Sequence, residues 1–418
     1  MNKPDILLCN LWQNYCISLR IDGCGRVAVH VRLLIFLEER GWEKGMIRLA
    51  YHRNESNRLS KDHGYPPQMN KGHGGRYDDI LIFLYGTSPA GPFTYMENSP
   101  VSYKPTGFIG GAGHGCIFTA GSENYWKAAT NSISVRHMFE RRVSFYPSGF
   151  DKDGYLFTNT YLGDYPMFLP GGKEQIAGEY QPGWMLLSYG KKVSVSSSLE
   201  GYPAENIVDE DARTAWVAQS NRDMEWAQVD LQRLSSIHAI QVNFDEYGAN
   251  QKGAVSGVYQ SYLIYASVNG EDWSLVVDYG TKKTDTPHDY IEFEEPFKAR
   301  YIKLQNKEYM VSENFSVRDL RIFGKGQGST PRAVNDFTVE RDEADPCKAR
   351  LCWEAVPDAQ GYIVRYGIAG DKLYNNFQVM GENTLEIGSL NKGVAYYFTI
   401  DAYNENGITR TSRIKVCR

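Results

Sequence analysis

Long apolar runs are the first thing this 418-residue sequence lacks. No stretch reaches the roughly 18 apolar residues that span a bilayer as a helix. The apolar run over residues 27–37 is broken by His30 and Arg32, as in a buried strand or helix rather than an anchor. No signal peptide is visible: Lys3 is followed by Pro4 and Asp5, without an apolar h-region and small-residue cleavage site. Basic charge is short as well. The net charge is −5 and no basic domain stands out, which argues against a nucleic-acid binder. The seven cysteines are an odd number without a CxxC pair or a Cys/His cluster at metal spacing. Cys9, Cys16 and Cys24 have neither zinc nor redox spacing. Cys347, Cys352 and Cys417 could approach one another within one module, and all seven read as inert thiols. No fixed-period repeat is found. Residues 1–75 sustain neither a period of 2 nor of 3.6; residues 33–41 could end a short helix, and 54–75 are polar with scattered Gly, Pro and His.

What the chain has is aromatics and turns. Twenty-nine Tyr and 8 Trp stand beside 40 Gly and 17 Pro, a mixture typical of β-sandwiches, barrels and propellers. Most of these rings fill cores, but Tyr and Trp also stack on the C–H face of a sugar. From Asp79 the pattern sharpens: Ile80-Leu81-Ile82-Phe83-Leu84 reads as a strand buried on both faces, and the prolines and glycine of Ser88-Pro89-Ala90-Gly91-Pro92-Phe93 fix a turn. Short alternating segments with turn signals continue to the end. The stretch Gly324-Lys325-Gly326-Gln327-Gly328-Ser329-Thr330, closed by Pro331, is the clearest linker.

Three resemblances follow this order. The last block resembles a fibronectin type III domain, through Ala349-Arg350-Leu351-Cys352-Trp353, Gly361-Tyr362-Ile363-Val364-Arg365-Tyr366 and the run from Leu390 through Tyr396 to Gly407. Trp353 would fill the space between two sheets, and a Tyr after Leu390 suits the corner hydrogen bond of such sandwiches. Residues 193–324 resemble the discoidin (coagulation factor five/eight C-type) family, which in bacterial enzymes serves as a carbohydrate-binding module. The carriers are Ala204 to Trp216, Trp226-Ala227-Gln228-Val229-Asp230-Leu231, Ser267 to Trp273, Ala299 to Leu304 and Leu320-Arg321-Ile322-Phe323-Gly324. That resemblance implies a structural calcium ion held by Asp209, Asp211 and Thr214, with Asp319 where the family places a closing Glu. Carboxylate, hydroxyl and carbonyl oxygens are what calcium prefers. Glu210 replaces the usual Gly, and a metal-free turn built on Asp209 and Asp211 is the alternative. It also implies sugar binding in loops at one end of the sandwich, for which Tyr247, Tyr259 and Tyr279 are candidates. Trp216, Trp226 and Trp273 read as core.

Residues 85–184 resemble the last blades of a family 43 glycoside hydrolase, a five-bladed β-propeller. The match rests on Gly107-Phe108-Ile109-Gly110-Gly111-Ala112-Gly113-His114-Gly115, Tyr125-Trp126, Phe139-Glu140-Arg141-Arg142, Phe150-Asp151-Lys152-Asp153-Gly154 and Asp164-Tyr165-Pro166. It implies that His114 lies near the propeller axis. Such enzymes need a carboxylic acid and a carboxylate base. In the family these come from earlier blades, and no residues here match them.

The expected fold is therefore all-β. An irregular, poorly readable leader (1–75) precedes a partial propeller (76–189). A discoidin-type jelly-roll sandwich (190–325) and an immunoglobulin-like fibronectin type III sandwich (331–418) follow. The expected function is that of the carbohydrate-binding part of a family 43-type hydrolase acting on plant-type or host polysaccharide of the arabinoside or xyloside class. Its catalytic residues are incomplete, its N-terminus is truncated, and its location is extracellular or periplasmic by resemblance. The expected partner is a polysaccharide, with no nucleic acid and no membrane span. Two alternatives stay open: an adhesion or scaffold protein that uses its sandwiches for protein contacts, and a rearranged hydrolase using Asp151, Asp153 or Asp164.

Overall fold

Alternation of buried and exposed residues marks several of the described strands, such as Phe337–Arg341 and Ala349–Trp353, because one face of each is dry and the other wet. The computed structural model describes residues 94–120, 124–132, 142–167, 182–249 and 257–418, together with the strand backbones Leu34–Phe36, Ile47–Arg53 and Ile80–Gly86. Where a helix end was expected over 33–41, the structure has a strand. Leu34–Phe36 pairs antiparallel with Ile47–Arg53, setting Leu34 opposite Ala50, so the apolar triplet is used along a sheet edge. The remaining expectations for 1–75 lie outside the described residues.

A four-stranded antiparallel sheet follows, made by Gly110–Ala120, Asn124–Ser132, Arg142–Phe150 and Leu156–Thr158 in sequence order. Gly115 is required by crowding: a Cβ there would lie 1.8 Å from the carbonyl oxygen of Ala128 on the neighbouring strand.

Residues 185–325 form the central sandwich. Its two longest strands, Trp226–Phe244 and His288–Tyr309, pair antiparallel but break register between Asp230 and Ser235 and again between Ile237 and Ala239. These bulges bend both strands, so each contributes to both layers. One layer joins Lys192–Val195, the first half of Trp226–Phe244, the second half of His288–Tyr309, Gln260–Ser267 and Ser274–Tyr279. The other joins the remaining halves to Ser316–Lys325, which also pairs with Trp216–Val217 and Met185–Leu186. Trp216, Val229, Ile240, Ile264, Leu304, Phe315 and Ile322 fill the space between them.

After Pro331 a three-stranded sheet (Phe337–Arg341, Ala349–Trp353, Thr384–Ile387) faces a five-stranded one. The second contains Gly361–Gly367, Asn375–Met380, Tyr396–Asn404, Gly407–Thr409 and Lys415–Cys417. Trp353 packs edge-on to Tyr362 between the layers, and the Tyr396 hydroxyl accepts the Asn391 N–H at 3.2 Å. The glycine-rich linker is pinned rather than loose: the side-chain amides of Asn404 and Asn406 both donate to Ser329 O at 3.1 Å. Among the described residues Cys116, Cys347, Cys352 and Cys417 form no disulfide, and no helix is long and apolar enough to cross a membrane.

These parts pack on one another. The outer face of the five-stranded sheet is buried against residues 97–165: Asp401 accepts the Tyr161 hydroxyl at 3.1 Å, the Gln378 N–H donates to Thr106 Oγ1 at 2.6 Å, and Phe157 stacks on Tyr374 at 4.6 Å. Tyr165, Phe323, Ile363 and Tyr403 join in one apolar cluster drawn from all three units.

Candidate functional site

The loops at 245–249, 257–259, 280–287 and 310–315 gather at one end of the central sandwich, because the strands that feed them end there. All three candidate tyrosines lie in or beside these loops and are half-buried. Tyr259 donates to Glu308 Oε2 at 2.6 Å, while the Lys283 ammonium contacts its hydroxyl at 2.9 Å and sits 4.4 Å from its ring centroid. Lys283 is also ion-paired with Glu308. Tyr279 packs edge-on to Tyr262, with Lys282 4.4 Å above its ring and Lys282 paired with Asp289 at 2.5 Å. Tyr247 meets Tyr202 edge-on at 4.8 Å. Aromatic rings framed by carboxylates and ammonium groups can stack on a sugar face and hydrogen-bond its hydroxyls. Lys282 shares a turn with Tyr279, whereas no pattern in the sequence marks Lys283, 24 positions on, as a partner of Tyr259.

The acidic loop lies beside Ser316–Lys325, and the Arg318 guanidinium links it to the 245–249 loop by donating to both Ala212 O and Asp245. Asp209 accepts the Asp211 N–H at 2.8 Å and the Thr214 hydroxyl at 2.7 Å, which is an Asx-type turn. The Asp211 carboxylate turns to Arg213, whose Nε lies 2.7 Å away. Asp319 accepts the Glu210 N–H at 3.2 Å with one oxygen, and its other oxygen is buried without a hydrogen-bond partner. Burial, with Glu210 and Asp209 nearby, pushes the Asp319 carboxyl well above the usual carboxylate range, and burial raises Asp209 too. Among the described residues no three His, Cys, Asp or Glu side chains converge as a metal site. The acidic donors fit calcium only in part: Asp319 and Asp209 offer oxygens, and loop carbonyls would have to complete the shell.

Glu210 is the departure that matters. Its φ of +60° is a conformation glycine adopts freely and other residues adopt at a cost of about 1–2 kcal/mol. In return its carboxylate takes the Arg321 guanidinium at 2.8 and 3.0 Å. Arg321 also donates to the main-chain oxygen of Asp164 at 2.8 Å and lies over Phe108, Tyr165 and Phe323. The Asp164 carboxylate pairs with Lys104 at 3.2 Å and accepts the Phe108 N–H at 2.7 Å. Burial alone would raise Asp164, but Lys104 and Arg321 hold it below its ordinary value. A Cβ on Gly107, at φ +103°, would lie 2.5 Å from the Lys104 ammonium. The hint in the sequence is Arg318, Asp319 and Arg321 inside an otherwise apolar strand.

The other expectations divide. His114 falls on Gly110–Ala120, but its side chain lies outside the described residues; beside it, buried Lys127 donates to Gly113 O at 2.8 Å. Asp151 and Asp153 both hold Lys372, at 2.6 and 2.5 Å, so all three aspartates of the rearranged-site alternative are engaged in ion pairs. Trp216 is buried as expected. Trp226 and Trp273, expected in the core, are half-buried instead: the register puts Trp226 on the outward face of its strand, and Trp273 follows a turn and packs under Lys303.

Residues 192–319 match the F5/8 type C domain family. Lactadherin of Rattus norvegicus is 33% identical over 110 residues, 25% of this chain and 25% of that protein. Lactadherin of Mus musculus is 32% identical over 110 residues, 25% of this chain and 23% of its own length. The chain thus spans about a quarter of the length of these curated relatives. Among solved structures, a family 32 carbohydrate-binding module from C. perfringens NanJ in complex with galactose has TM-score 0.29 and 19% identity, covering 34% of this chain and 98% of that one. Chitosan-binding module 1 of a Paenibacillus sp. IK-5 chitosanase/glucanase has TM-score 0.29 and 20% identity, over 34% and 99%. A glycoside hydrolase has TM-score 0.35 and 16% identity, over 72% of this chain and 62% of that one.

Proposed function

We propose that this chain binds a carbohydrate through the loop end of its central sandwich, as the binding part of a family 43-type glycoside hydrolase acting on arabinoside- or xyloside-class polysaccharide outside the cell or in the periplasm. The observation that carries the reading is the pair Tyr259 and Tyr279, half-buried at one end of an F5/8 type C module with Glu308, Asp289 and two lysines around their rings. In the same reading, residues 76–189 are a partial propeller and 331–418 a fibronectin type III domain that docks within the chain. Calcium, if bound, uses Asp319, Asp209, Thr214 and loop carbonyls as a structural site, with Asp211 left to Arg213. The adhesion alternative has less support, because one whole face of the C-terminal sandwich is already taken by this chain.

Glycan-array screening followed by calorimetry on the full chain tests the proposal. Tyr259→Ala and Tyr279→Ala should each weaken saccharide binding about tenfold, or 1.4 kcal/mol, with Tyr279→Ala also lowering the unfolding midpoint because its ring packs on Tyr262. An array without hits, together with saturable binding to a protein, would refute it.

A further inference from the structure

The two outer faces of the central sandwich have different fates. The face carrying Gln241, Arg321 and Phe323 is covered by residues 104–109, 161–165 and the C-terminal sheet. The opposite face, on the layer containing Gln260–Ser267, has no such cover among the described residues. Its register sets Lys303 between Tyr265 and Gln228 on the neighbouring strands, a row about 10 Å across at ordinary strand spacing. The Lys303 ammonium sits 4.1 Å from the Trp273 ring centroid and 5.3 Å from that of Tyr265, and among the described residues it has no carboxylate partner. The Gln228 side-chain amide is likewise without a partner there. One row along, Arg300 lies over Tyr301 and pairs with Asp230 at 2.8 Å, with Lys192 opposite Asp230. Lys303, Arg300 and Lys192 therefore gather around Asp230, while a further carboxylate, Asp278 opposite Leu263, lies farther along the same face. The nearby acid Asp272 is turned to Asn269 at 2.9 Å.

We propose that this face is a second saccharide contact, at which Lys303, seated on Trp273 and Tyr265, pairs with the carboxylate of an isolated uronate in an acidic polysaccharide. The half-buried rings offer surface for C–H stacking, and Gln228 supplies an amide for a hydroxyl. A protein interface excludes charge from its centre, whereas a lysine occupies the centre here. A densely sulfated chain would need a run of free cations, and here only Lys303 and Lys192 lack an ion-pair partner among the described residues. The contact is separate from the loop end and stands without it.

Affinity electrophoresis of the full chain in glucuronoxylan, neutral arabinoxylan and dextran sulfate tests this. Lys303→Gln should weaken glucuronoxylan binding about tenfold and leave arabinoxylan unchanged, Lys303→Arg should retain most of it, and added salt should weaken it in the wild type. Loss of arabinoxylan binding in Tyr279→Ala with glucuronoxylan still retained would separate the two contacts and support this one. The proposal is overturned if the wild type does not retain glucuronoxylan, if Lys303→Gln binds it like the wild type, or if dextran sulfate is held more tightly. It is equally overturned if the face captures a protein, blocked by Lys303→Gln, and no acidic polysaccharide.

Discussion

Arg321 and Lys303 lie on the two outer faces of one sandwich, and both sit on aromatic rings. Arg321 is 1% exposed, is held by Glu210 and is enclosed by Phe108, Tyr165 and Phe323. Lys303 is half-buried on Trp273 and Tyr265 and has no carboxylate partner among the described residues. The ingredients are alike; the difference is what covers them. On one face the chain itself supplies the cover, so the cation becomes part of the junction between units. On the other no described residue supplies such a cover. Burial, more than residue type, decides whether a cation–aromatic cluster holds a fold together or meets a partner.

The largest expected effect breaks the covered side. Arg321→Met leaves Glu210 charged and buried and should cost about 3–5 kcal/mol. Arg321→Met combined with Glu210→Leu should recover most of that loss, because the penalty lies in the unpaired charge rather than in the missing attraction. Urea unfolding of both variants measures this. A loss under 1 kcal/mol for the single variant would mean that the junction does not depend on this pair.

Next in size is a pH effect that separates two carboxylates of the same junction. Asp164 is held below its ordinary value, so its contribution is present at neutral pH and is lost as pH falls below about 4. Asp319 is pushed above its ordinary value, so the fold favours its protonated form and loses stability as pH rises from about 4 through that raised value. In EDTA, Asp319→Asn should therefore raise the melting temperature at pH 8 and have little effect near pH 4. If calcium occupies the loop, adding it should stabilise the wild type and leave Asp319→Asn unmoved. A melting temperature lowered by Asp319→Asn in EDTA at pH 8 would contradict the assignment of burial as the dominant cause.

Much of the open face was legible in the sequence, and little of the covered one. Trp226 to Leu231 alternates outward and inward side chains, and the structure keeps that alternation, with Ala227, Val229 and Leu231 buried. Trp226 was still misread as core, because the alternation gives two faces without saying which is wet. Ser316–Lys325 is buried on both faces except at its last residue, with Arg318, Asp319 and Arg321 among the buried side chains. Those charges become intelligible only when Asp164, more than 150 positions earlier, is placed against Arg321. The Asp209 and Thr214 pairing was readable because it is local. The Glu210 to Asp319 contact was not, since it depends on where a distant strand lies. Tyr259 and Tyr279 were found as loop aromatics; Lys282 shares a turn with Tyr279, while Lys283 comes to the Tyr259 ring from 24 positions away.

The smallest expected effect is on the open face, and its smallness is what distinguishes the two sides. A half-exposed cation on aromatic rings contributes about 0.5–1 kcal/mol, so Lys303→Met should change unfolding free energy by less than about 1 kcal/mol. The same change at Arg321 should cost several times more, although both remove a cation from an aromatic setting. If Lys303→Met instead destabilised the chain as strongly as Arg321→Met, Lys303 would be a structural cation like its counterpart. The open face would then be held for the fold's own stability and not for a ligand.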